Sequence, residues 1–314
     1  MTAPLALVQN PSQVHHEAAG HPERSDRVTA ILERIDADPE LRSCPSLDAD
    51  ESTPELALLV HEPDMVRRVE AVSRRGGGWF DADTYCTPDS YDVALDAVAG
   101  AARAARAVVA GEALSVFAMV RPPGHHATAF RPMGFCLFNN AAVAVRVGQL
   151  GGARRVAVVD FDVHHGNGTE DIFANDRSVL YCSLHQFPFY PGTGAEDDRG
   201  GEGAPGFTVN VPLSAGTDGA EWLSRFDDRV VPAIDEFQPD LIVVSAGYDA
   251  HARDPLAQLM LDDDTYVAIA ERVVALAQRH ARGRSVWLLE GGYDLEAISG
   301  AVAAQLHVLA AVRE

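Results

Sequence analysis

Residues 156–173 read VAVVDFDVHHGNGTEDIF, and this segment carries the main signal for both the fold and the chemistry of the chain. Its first residues, 156–159, are apolar and mostly β-branched, which is typical of a strand that is buried on both faces. Acidic residues, histidines and glycines follow directly. We therefore predict a buried strand that ends in a group of reactive polar side chains.

Apolar runs of the same kind recur along the chain and alternate with longer amphipathic or alanine-rich stretches. They cover residues 5–8, 116–120, 156–160, 179–183, 241–246 and 286–290. Strands that are apolar on both faces and alternate with helices are typical of a parallel sheet with helices on each side. We therefore predict an α/β fold that is built on one such sheet.

Three of the intervening stretches predict helices. Two of them keep the three- and four-residue spacing of one helical face, on Leu223, Phe226, Val230, Ile234 and Phe237 and on Tyr266, Ile269, Ala270, Val273 and Val274. In the third, which is rich in Ala and Val, Asn139 or Asn140 would cap the N-terminus and Gly151-Gly152 would end the helix. Each precedes a predicted strand, as an α/β unit requires.

The composition also bounds the class of protein. The 314 residues are 47% hydrophobic and 23% charged, which excludes a disordered chain. Because there is no internal repeat, low-complexity tract or Pro/Ser-rich linker, we predict a single domain over residues 1–314. Neither a secretory signal nor a run of ~18 apolar residues is visible, so we expect a cytoplasmic protein with no membrane partner. The four cysteines lack C-x-x-C spacing, and we expect them to be reduced and mostly buried.

The charge balance is acidic, with 25 basic against 46 acidic residues and a net charge of -21. Such a chain repels phosphates, so we expect no nucleic-acid partner, and it would attract cationic substrates. An acidic surface that keeps the protein soluble would also account for this net charge. The acidic, glycine-rich stretch at residues 192–206 is typical of a solvated surface loop, and the alternative is that it forms part of a site rim.

Polar side chains follow several of the predicted strands, at the point where each strand ends. The segment RPPGHHA contains His125 and His126, DFDVHHGNG contains Asp160, Asp162, His164, His165 and Asn167, SAGYDAH contains Asp249 and His251, and EGGYDL contains Tyr293. Together with His185, half of the 12 histidines follow a predicted strand. Ligands of open α/β sheets bind beyond the carboxyl ends of the strands, so we expect these segments to meet at one site.

The residue types in these segments suggest hydrolysis at a metal. Asp162 and His164 are two residues apart on an extended segment, so their side chains would leave the same face and bind one ion. Asp249 would complete an Asp/His/Asp set with a position open for water, as catalytic zinc requires. We expect Asp160 on the opposite face, where it could accept the ring N–H of a histidine.

Each of these motifs has an ordinary structural explanation when it is taken alone. A His-His pair is usually a packing or surface feature, D-x-D-x-H also fits Mg²⁺ and phosphate sites, and a tyrosine after two glycines is more often a packed loop residue. Their common position after strands is what favours a catalytic site. A nucleotide-binding loop is excluded because neither G-x-x-x-x-G-K-[ST] nor a G-x-G-x-x-G after the first strand occurs.

The chain resembles the histone deacetylase family over nearly its whole length. Six motifs occur in the family's order: RPPGHHA, GFCLFNNAA, VDFDVHHGNGTEDIF, SLHQFPFYPGTG, SAGYDAHARDPL and EGGYDL. HPERSDR and VHEPDMV resemble its N-terminal half. Because Asn167 is the class II form, the likeness is strongest to that branch and its bacterial relatives, which include acetylpolyamine amidohydrolases and acetoin-utilisation deacetylases. The resemblance implies the arginase-deacetylase fold, a single parallel sheet of about eight strands between helical layers.

The resemblance also implies a role for each site residue. Zn²⁺ would be bound by Asp162, His164 and Asp249. His126, oriented by Asn167, would act as general base and then general acid, while His125, paired with Asp160, would tune the electrostatics. Tyr293 would donate to the scissile carbonyl oxygen. A channel for an aliphatic acyl-lysine stem would be lined by Gly134, Phe135 and Tyr190, with Leu256 at its mouth, and a structural K⁺ would be held by Asp160, Asp162, His164, Ser183 and Leu184.

We therefore expect a zinc-dependent deacetylase of acyl-lysine in a protein or peptide, or of a similar small acylated amine. Alternatives are an acetylpolyamine amidohydrolase, a catalytically silent acyl-lysine-binding module and an arginase-like two-manganese hydrolase. The silent module is disfavoured because Tyr293, the metal ligands and both histidines are present. The arginase-like site would need further carboxylates where His164, His165 and Gly166 stand. Since Leu256 carries no charge, we expect acyl-lysine peptides to be preferred over acetylated polyamines. A homo-oligomer is left open.

Overall fold

A computed structural model of the protein describes residues 2–312. Eight of its strands form one parallel sheet: β1 (Ala3–Gln9), β2 (Ser46–Leu47), β5 (Ala113–Met119), β6 (Val156–Asp160), β7 (Val179–Gln186), β8 (Thr208–Leu213), β9 (Leu241–Ala246) and β10 (Ser285–Leu289). A separate antiparallel pair is made by β3 (Gly78–Trp79) and β4 (Tyr85–Cys86). The predicted α/β class with a single parallel sheet is confirmed.

Helices cover both faces of the sheet. They are α1 (Asp26–Ala37), α2 (Pro39–Arg42), α3 (Pro54–Ala57), α4 (Pro63–Arg74), α5 (Ser90–Ala110), α6 (Asn140–Leu150), α7 (Asn167–Phe173), α8 (Gly219–Arg225), α9 (Val231–Phe237), α10 (Asp263–His280) and α11 (Leu295–Ala310). Among the described residues, no helix is both long and apolar enough to cross a bilayer.

Two hydrophobic cores lie on opposite faces of the sheet because successive strand residues point to opposite sides. In β1, Leu5 and Leu7 join the core beneath α1, α10 and α11, whereas Ala6 and Val8 join the core beneath α5 and α6. A strand such as β1 is therefore apolar on both of its faces. This is why continuous apolar runs, rather than alternating ones, predicted the sheet.

The predicted helices are present with the expected caps. Asn139 caps α6, its side chain accepting a hydrogen bond from the backbone N–H of Ala142, and Gly151 follows the last helical residue. The face on Leu223 to Phe237 belongs to α8 and α9, which are joined by one π-helical turn at Phe226–Val230. The second predicted face lies on α10.

Other elements were not visible in the sequence pattern. The strand β8 contains Asn210 and Pro212, which a central strand would not tolerate, and it lies at an edge of the sheet where proline is allowed. The strand β2 has only two residues, which are too few to form an apolar run that the sequence would reveal. The strand β7 extends to Gln186, so His185 lies inside a strand and does not follow one. The four cysteines are free thiols and three of them are buried, as expected.

The order of the strands brings the chemical segments together. Across the sheet the order is β2-β1-β5-β10-β9-β6-β7-β8. The segments with the paired histidines, Tyr293, Asp249 and Asp162 follow β5, β10, β9 and β6, which are four consecutive neighbours in that order. Because all of these strands are parallel, their carboxyl ends meet at one edge, and the polar segments form a single site there.

Candidate active site

Two carboxylates and an imidazole converge at the carboxyl ends of β6 and β9. One ligand atom from each of Asp162, His164 and Asp249 lies within 4.8 Å of the others. The Nδ1 atom of His164 is 3.1 Å from Asp162 Oδ1 and 3.1 Å from Asp249 Oδ2. Both aspartates are buried and the histidine is half-buried. This donor set suits zinc, because two carboxylates and one imidazole leave a coordination position free.

Backbone groups orient these carboxylates from behind. Gly291 N–H donates to Asp162 Oδ2 at 2.8 Å, and Val163 N–H donates to Asp249 Oδ1 at 2.9 Å. A β-carbon at Gly291 would collide with the carboxylates of Asp162 and Asp249, so only glycine fits at this place. Hydrogen bonds of this kind favour the ionised form of an acidic side chain and fix the direction in which it would bind a metal. At Asp249, burial and the charge of Asp162 outweigh this effect and raise the pKa.

The prediction that Asp160 lies on the opposite face from Asp162 is wrong. The ring of His125 lies against both carboxylates, with Nδ1 3.1 Å from Asp160 Oδ2 and Nε2 3.8 Å from Asp162 Oδ1. The physical reason is the alternation of side chains along an extended segment: residues two apart point to the same face, so the spacing of Asp160 and Asp162 itself favours one face. Asp160 lies within hydrogen-bond distance of the His125 ring, the kind of partner that the sequence analysis expected for it.

The two adjacent histidines differ in their surroundings. Burial alone would lower the pKa of His125, but the carboxylates of Asp162 and Asp160 outweigh it and raise the pKa to about 10. A cation bound at Asp162 would weaken that attraction. Burial, together with His125 and His164, holds the pKa of His126 well below its ordinary value of 6.5. His126 is therefore the neutral member of the pair.

Asn167, which the resemblance assigns to the orientation of His126, contacts that ring directly. Its Oδ1 atom lies 2.8 Å from His126 Nδ1, and its Nδ2 atom donates to the sulfur of Met133 at 3.5 Å. The asparagine oxygen can only accept, so the proton of a neutral His126 lies on Nδ1 and the lone pair on Nε2. A β-carbon at Gly134 would collide with this imidazole, and Gly134 has a φ of 55°, which favours glycine.

Tyr293 lies on the segment after β10, with its ring between Arg27 and Phe135. The guanidinium carbon of Arg27 is 4.9 Å from the centre of the tyrosine ring, and the ring of Phe135 meets its edge at 5.9 Å. Burial raises the pKa of the phenol well above 10, against the opposing charge of Arg27. Among residues 2–312 the hydroxyl has no hydrogen-bond partner, so it is a protonated donor that remains free for a ligand.

A pocket of about 240 Å³ joins these groups. His125, His126, His164 and Tyr293 line it, as do the four predicted channel residues Gly134, Phe135, Tyr190 and Leu256, and also Asp83, Pro123 and Gly291. The rings of Tyr190 and His126 meet edge to face at 5.1 Å. The predicted channel residues are thus brought together above the metal ligands. A larger cavity of about 610 Å³ lies elsewhere, near the amino ends of β7 and β8, and holds none of these side chains.

A buried ion-pair cluster behind Tyr293 was missed by the sequence reasoning. Arg27 donates from Nε to the carbonyl of Gly292 at 2.6 Å and from Nη2 to the carbonyl of Glu290, and its Nη1 lies 3.1 Å from Glu23. Glu23 also pairs with Arg121 at 2.5 Å, and the two guanidinium groups outweigh burial and lower its pKa to about 2. The available signal was the segment HPERSDR, which contains two of these residues.

Glu290 is a second residue that the sequence reasoning did not single out. Its carboxylate accepts hydrogen bonds from the backbone N–H groups of Gly124 at 2.6 Å and His125 at 3.2 Å, so it joins the segment after β10 to the segment with the paired histidines. Burial raises its pKa to about 7. Its position as the first residue of EGGYDL, directly after a strand, was the only sequence signal.

Two further predictions, the potassium ligands and the glycine-rich stretch, concern residues around the site. Asp160 and Ser183, two of the predicted potassium ligands, are direct partners across β6 and β7, and the Ser183 hydroxyl contacts His185 at 2.9 Å. The glycine-rich stretch at residues 192–206 contributes nothing to the pocket described above, although Thr193 contacts His165 at 2.8 Å. Asp294 caps α11 through the N–H of Ala297, a role that asparagine also fills.

Comparisons with known sequences agree with this geometry. The profile of the histone deacetylase domain matches residues 21–309. A probable deacetylase of Archaeoglobus fulgidus is 40% identical over 284 residues, which are 90% of this chain and 79% of that protein. The histone deacetylase-like amidohydrolase of Pseudomonas aeruginosa is 41% identical over 286 residues, which are 88% of this chain and 73% of that protein.

Among solved structures, the crystal structure of the HDA15 HD domain matches with a TM-score of 0.94 at 38% sequence identity. The match covers 99% of this chain and 89% of that one. The parallel sheet with its two helical layers is therefore the arginase-deacetylase fold that the motifs implied. Because the family profile spans most of the chain and several relatives exceed one-third identity, this chain belongs to the histone deacetylase family.

Proposed function

We propose that the protein is a zinc-dependent amidohydrolase that removes acyl groups, acetyl above all, from lysine side chains or from similar acylated amines. Membership of a family of deacetylases and amidohydrolases supports hydrolysis of an amide. The observation that carries the finer proposal is the arrangement of one pocket. It brings the Asp162/His164/Asp249 set together with a neutral histidine and a free tyrosine hydroxyl.

The residues present fit zinc. Asp162, His164 and Asp249 would hold the ion, since their donor atoms converge and their chemistry is that of catalytic zinc sites. A bound zinc ion would supply a Lewis acid that makes water more acidic and polarises a carbonyl oxygen. We also propose potassium as a structural ion, held by Asp160, Asp162, His164, Ser183 and Leu184, on the resemblance stated above.

The protein's own groups cover the remaining tasks of amide hydrolysis. An amide is a poor electrophile and amines leave poorly, so a proton must be removed from the attacking water and another must reach the nitrogen. His126 has its Nε2 lone pair available, because Asn167 holds the proton on Nδ1, and it accepts the first proton and later returns one to the leaving amine. Tyr293 donates a hydrogen bond to the carbonyl oxygen as negative charge develops there.

The pocket favours a long aliphatic acylated amine. Phe135 and Tyr190 provide aromatic walls, and Leu256 adds an apolar contact at the mouth. The stem of an acyl-lysine can lie between such walls without leaving a polar group unpaired. The carboxylate of Asp83 also lines the pocket and favours the second candidate, an acetylpolyamine amidohydrolase, because it could contact a cationic amine.

We also make proposals about the domain organisation, the location and the class of substrate. We propose that the whole chain acts as one domain, which the single eight-stranded sheet supports, although Met1, Arg313 and Glu314 lie outside the described residues. We propose a cytoplasmic location. The charge of -21 supports a substrate that is not a nucleic acid.

The decisive experiment is a deacylation screen of the purified, zinc-loaded protein. The substrates are acetyl-lysine peptides, longer acyl-lysine peptides and acetylated polyamines, with release of free amine as the readout. We expect turnover of at least one acyl-lysine peptide, and loss of that turnover in His126→Ala. A zinc-loaded protein that hydrolyses none of the three classes would contradict the proposal.

A further inference from the structure

Asp254 is a buried carboxylate for which the chemistry above has no use. It lies on the segment after β9, five residues beyond the metal ligand Asp249 and two before the rim residue Leu256, and it is only 7% exposed. Both of its oxygens accept backbone hydrogen bonds. Oδ1 accepts from the N–H of Leu256 at 2.9 Å, and Oδ2 accepts from the N–H of Tyr293 at 2.7 Å.

The backbone before Tyr293 depends on such anchors because two glycines precede it. Gly291 is held through its N–H by Asp162 at 2.8 Å, and Gly292, with a φ of 116°, is held through its carbonyl by Arg27 at 2.6 Å. Glycines provide no side chain that could restrain the chain. The carboxylate of Asp254 is the acceptor for the next group, the N–H of Tyr293 itself.

We propose that Asp254 is the positioning residue for Tyr293. One carboxylate ties the oxyanion donor to the segment that carries the metal ligand Asp249 and the rim residue Leu256, and so fixes the tyrosine relative to both. The inference rests on the proposed function, in which Tyr293 contacts the carbonyl oxygen. It adds a residue that does not touch the substrate and acts through the tyrosine.

The environment of Asp254 supports this role. Burial and the nearby charge of Asp249 raise its pKa to about 7, against the hydrogen bonds that it accepts from the backbone. A carboxylate at this place therefore carries an electrostatic cost that a smaller neutral residue would avoid. The carboxylate accepts from two backbone donors on separate segments, Leu256 and Tyr293, which are 37 positions apart. An apolar side chain could bind neither of them.

The test begins with Asp254→Asn in the zinc-loaded protein. An asparagine keeps the size but offers one oxygen, so its NH₂ faces one of the two N–H donors and that hydrogen bond is lost. We expect kcat to fall about 10- to 100-fold, since small displacements of a catalytic group have effects of this size. KM should change less than about twofold and zinc content should not change, because the Asp254 side chain does not itself line the pocket and makes no hydrogen bond to the metal ligands.

A double-mutant cycle separates positioning from general stability. In a Tyr293→Phe background the hydroxyl is already gone, so Asp254→Asn should have little further effect on kcat. Losses that multiply in the double variant, or a kcat for Asp254→Asn within twofold of the wild type, would overturn the inference. The control is Asp262→Asn, an exposed aspartate that also accepts a backbone hydrogen bond, from the N–H of Thr265 at the start of α10, and that should leave kcat unchanged.

A readout that needs no activity completes the test. Hydrogen exchange at the Tyr293 amide should accelerate in Asp254→Asn and stay at the wild-type rate in Asp262→Asn. Because the asparagine oxygen can face either donor, Asp254→Ala, which removes both acceptors, is measured beside it and should accelerate exchange at Tyr293. An unchanged rate at Tyr293 in a folded Asp254→Ala overturns the inference even if the wild type deacylates its substrates. Failure of the proposed function is a different result, namely a wild type that hydrolyses no acylated amine.

Discussion

At the scale of single residues, the proposed chemistry depends on two side chains that are prepared for opposite tasks. His126 is neutral and has its lone pair directed by Asn167, and Tyr293 is protonated with a free hydroxyl. Burial produces both states, because it disfavours the charged form of a histidine and of a phenol alike. A proton acceptor and a hydrogen-bond donor are thus available in one pocket at neutral pH.

Removal of the tyrosine hydroxyl should impair turnover without harming the fold. In Tyr293→Phe we expect kcat on an acetyl-lysine peptide to fall about 10²- to 10³-fold, the usual effect of losing one oxyanion donor. Zinc content and melting temperature should stay close to the wild type, because the hydroxyl has no partner among residues 2–312. Steady-state kinetics with metal analysis checks this, and a near-normal kcat would show that the metal alone polarises the carbonyl.

The rim residue Leu256 should decide between peptide and polyamine. We expect the wild type to show a higher kcat/KM for an acetyl-lysine peptide than for acetylspermidine or acetylputrescine. In Leu256→Glu the ratio should shift towards the polyamine by about 1 to 3 kcal/mol if the new carboxylate pairs with the substrate cation. Long-range attraction by the net charge is screened within about 8 Å at physiological salt, so the local contact should dominate.

Both measurements should be made at about 0.15 M salt, with Leu256→Gln as the uncharged control of similar size. The glutamine variant should not gain the preference for polyamine. A wild type that favours acetylated polyamines would make the second candidate function the better one, and Asp83 would then be the first carboxylate to replace.

At the scale of elements, a buried histidine joins α6 to the chain before α4. The ring of His61 contacts the carbonyl of Thr128 through Nδ1 at 2.9 Å and accepts the N–H of Asn139 through Nε2 at 2.8 Å. Asn139 is the residue that caps α6. This pair of bonds needs the neutral ring, since a protonated Nε2 could not accept.

This contact should make the fold sensitive to acid. Burial lowers the pKa of His61 from 6.5 to about 4, so between these values the unfolded chain binds more protons than the folded one. The contribution of His61 to the free energy of unfolding is therefore complete above pH 6.5 and is lost as the pH falls towards 4. The difference in unfolding free energy between wild type and His61→Gln should shrink by about 3 kcal/mol across that window.

Denaturant unfolding at several pH values measures this difference. The control is His15→Gln, which replaces an exposed histidine side chain and breaks no buried contact. A constant difference between wild type and His61→Gln from neutral pH to pH 4 would contradict the assignment of a neutral, hydrogen-bonded ring.

At the scale of the whole molecule, zinc would link segments that are distant in the chain. Asp162 and His164 follow β6, and Asp249 follows β9, which lies beside β6 in the sheet. We expect about one zinc per chain by elemental analysis and a large loss in Asp162→Ala and Asp249→Ala. Unchanged metal in both variants would contradict the site.

Removal of the metal should also lower the stability of the whole fold. A ligand present at about 1,000 times its Kd contributes about 4 kcal/mol, which corresponds to about 5 °C or more in Tm. A chelator should therefore lower the Tm of the wild type and leave that of Asp249→Ala almost unchanged. The exposed Asp197→Ala variant should respond to the chelator as the wild type does.

The amino-acid sequence alone determined the class of fold and the chemical groups of the site. The buried strands, the caps of α6 and the Asp162/His164 pair are local patterns, and hydrophobicity and spacing within a few residues are enough to reveal them. Asp249, His126 and Tyr293 were placed at strand ends by the same patterns. The family could then be identified because six motifs occur in the family's order, and such a match is far more specific than any single motif.

Only the tertiary structure decided how these groups meet. The sheet places β10 and β9 between β5 and β6, an order that no local pattern encodes. The bonds of Arg27 to Gly292 and of Asp162 to Gly291 span 265 and 129 positions. The double contact of Asp254 likewise depends on how two loops, 37 positions apart at Leu256 and Tyr293, pack together. Local periodicity describes neighbours in the chain, whereas a catalytic site is built from neighbours in space.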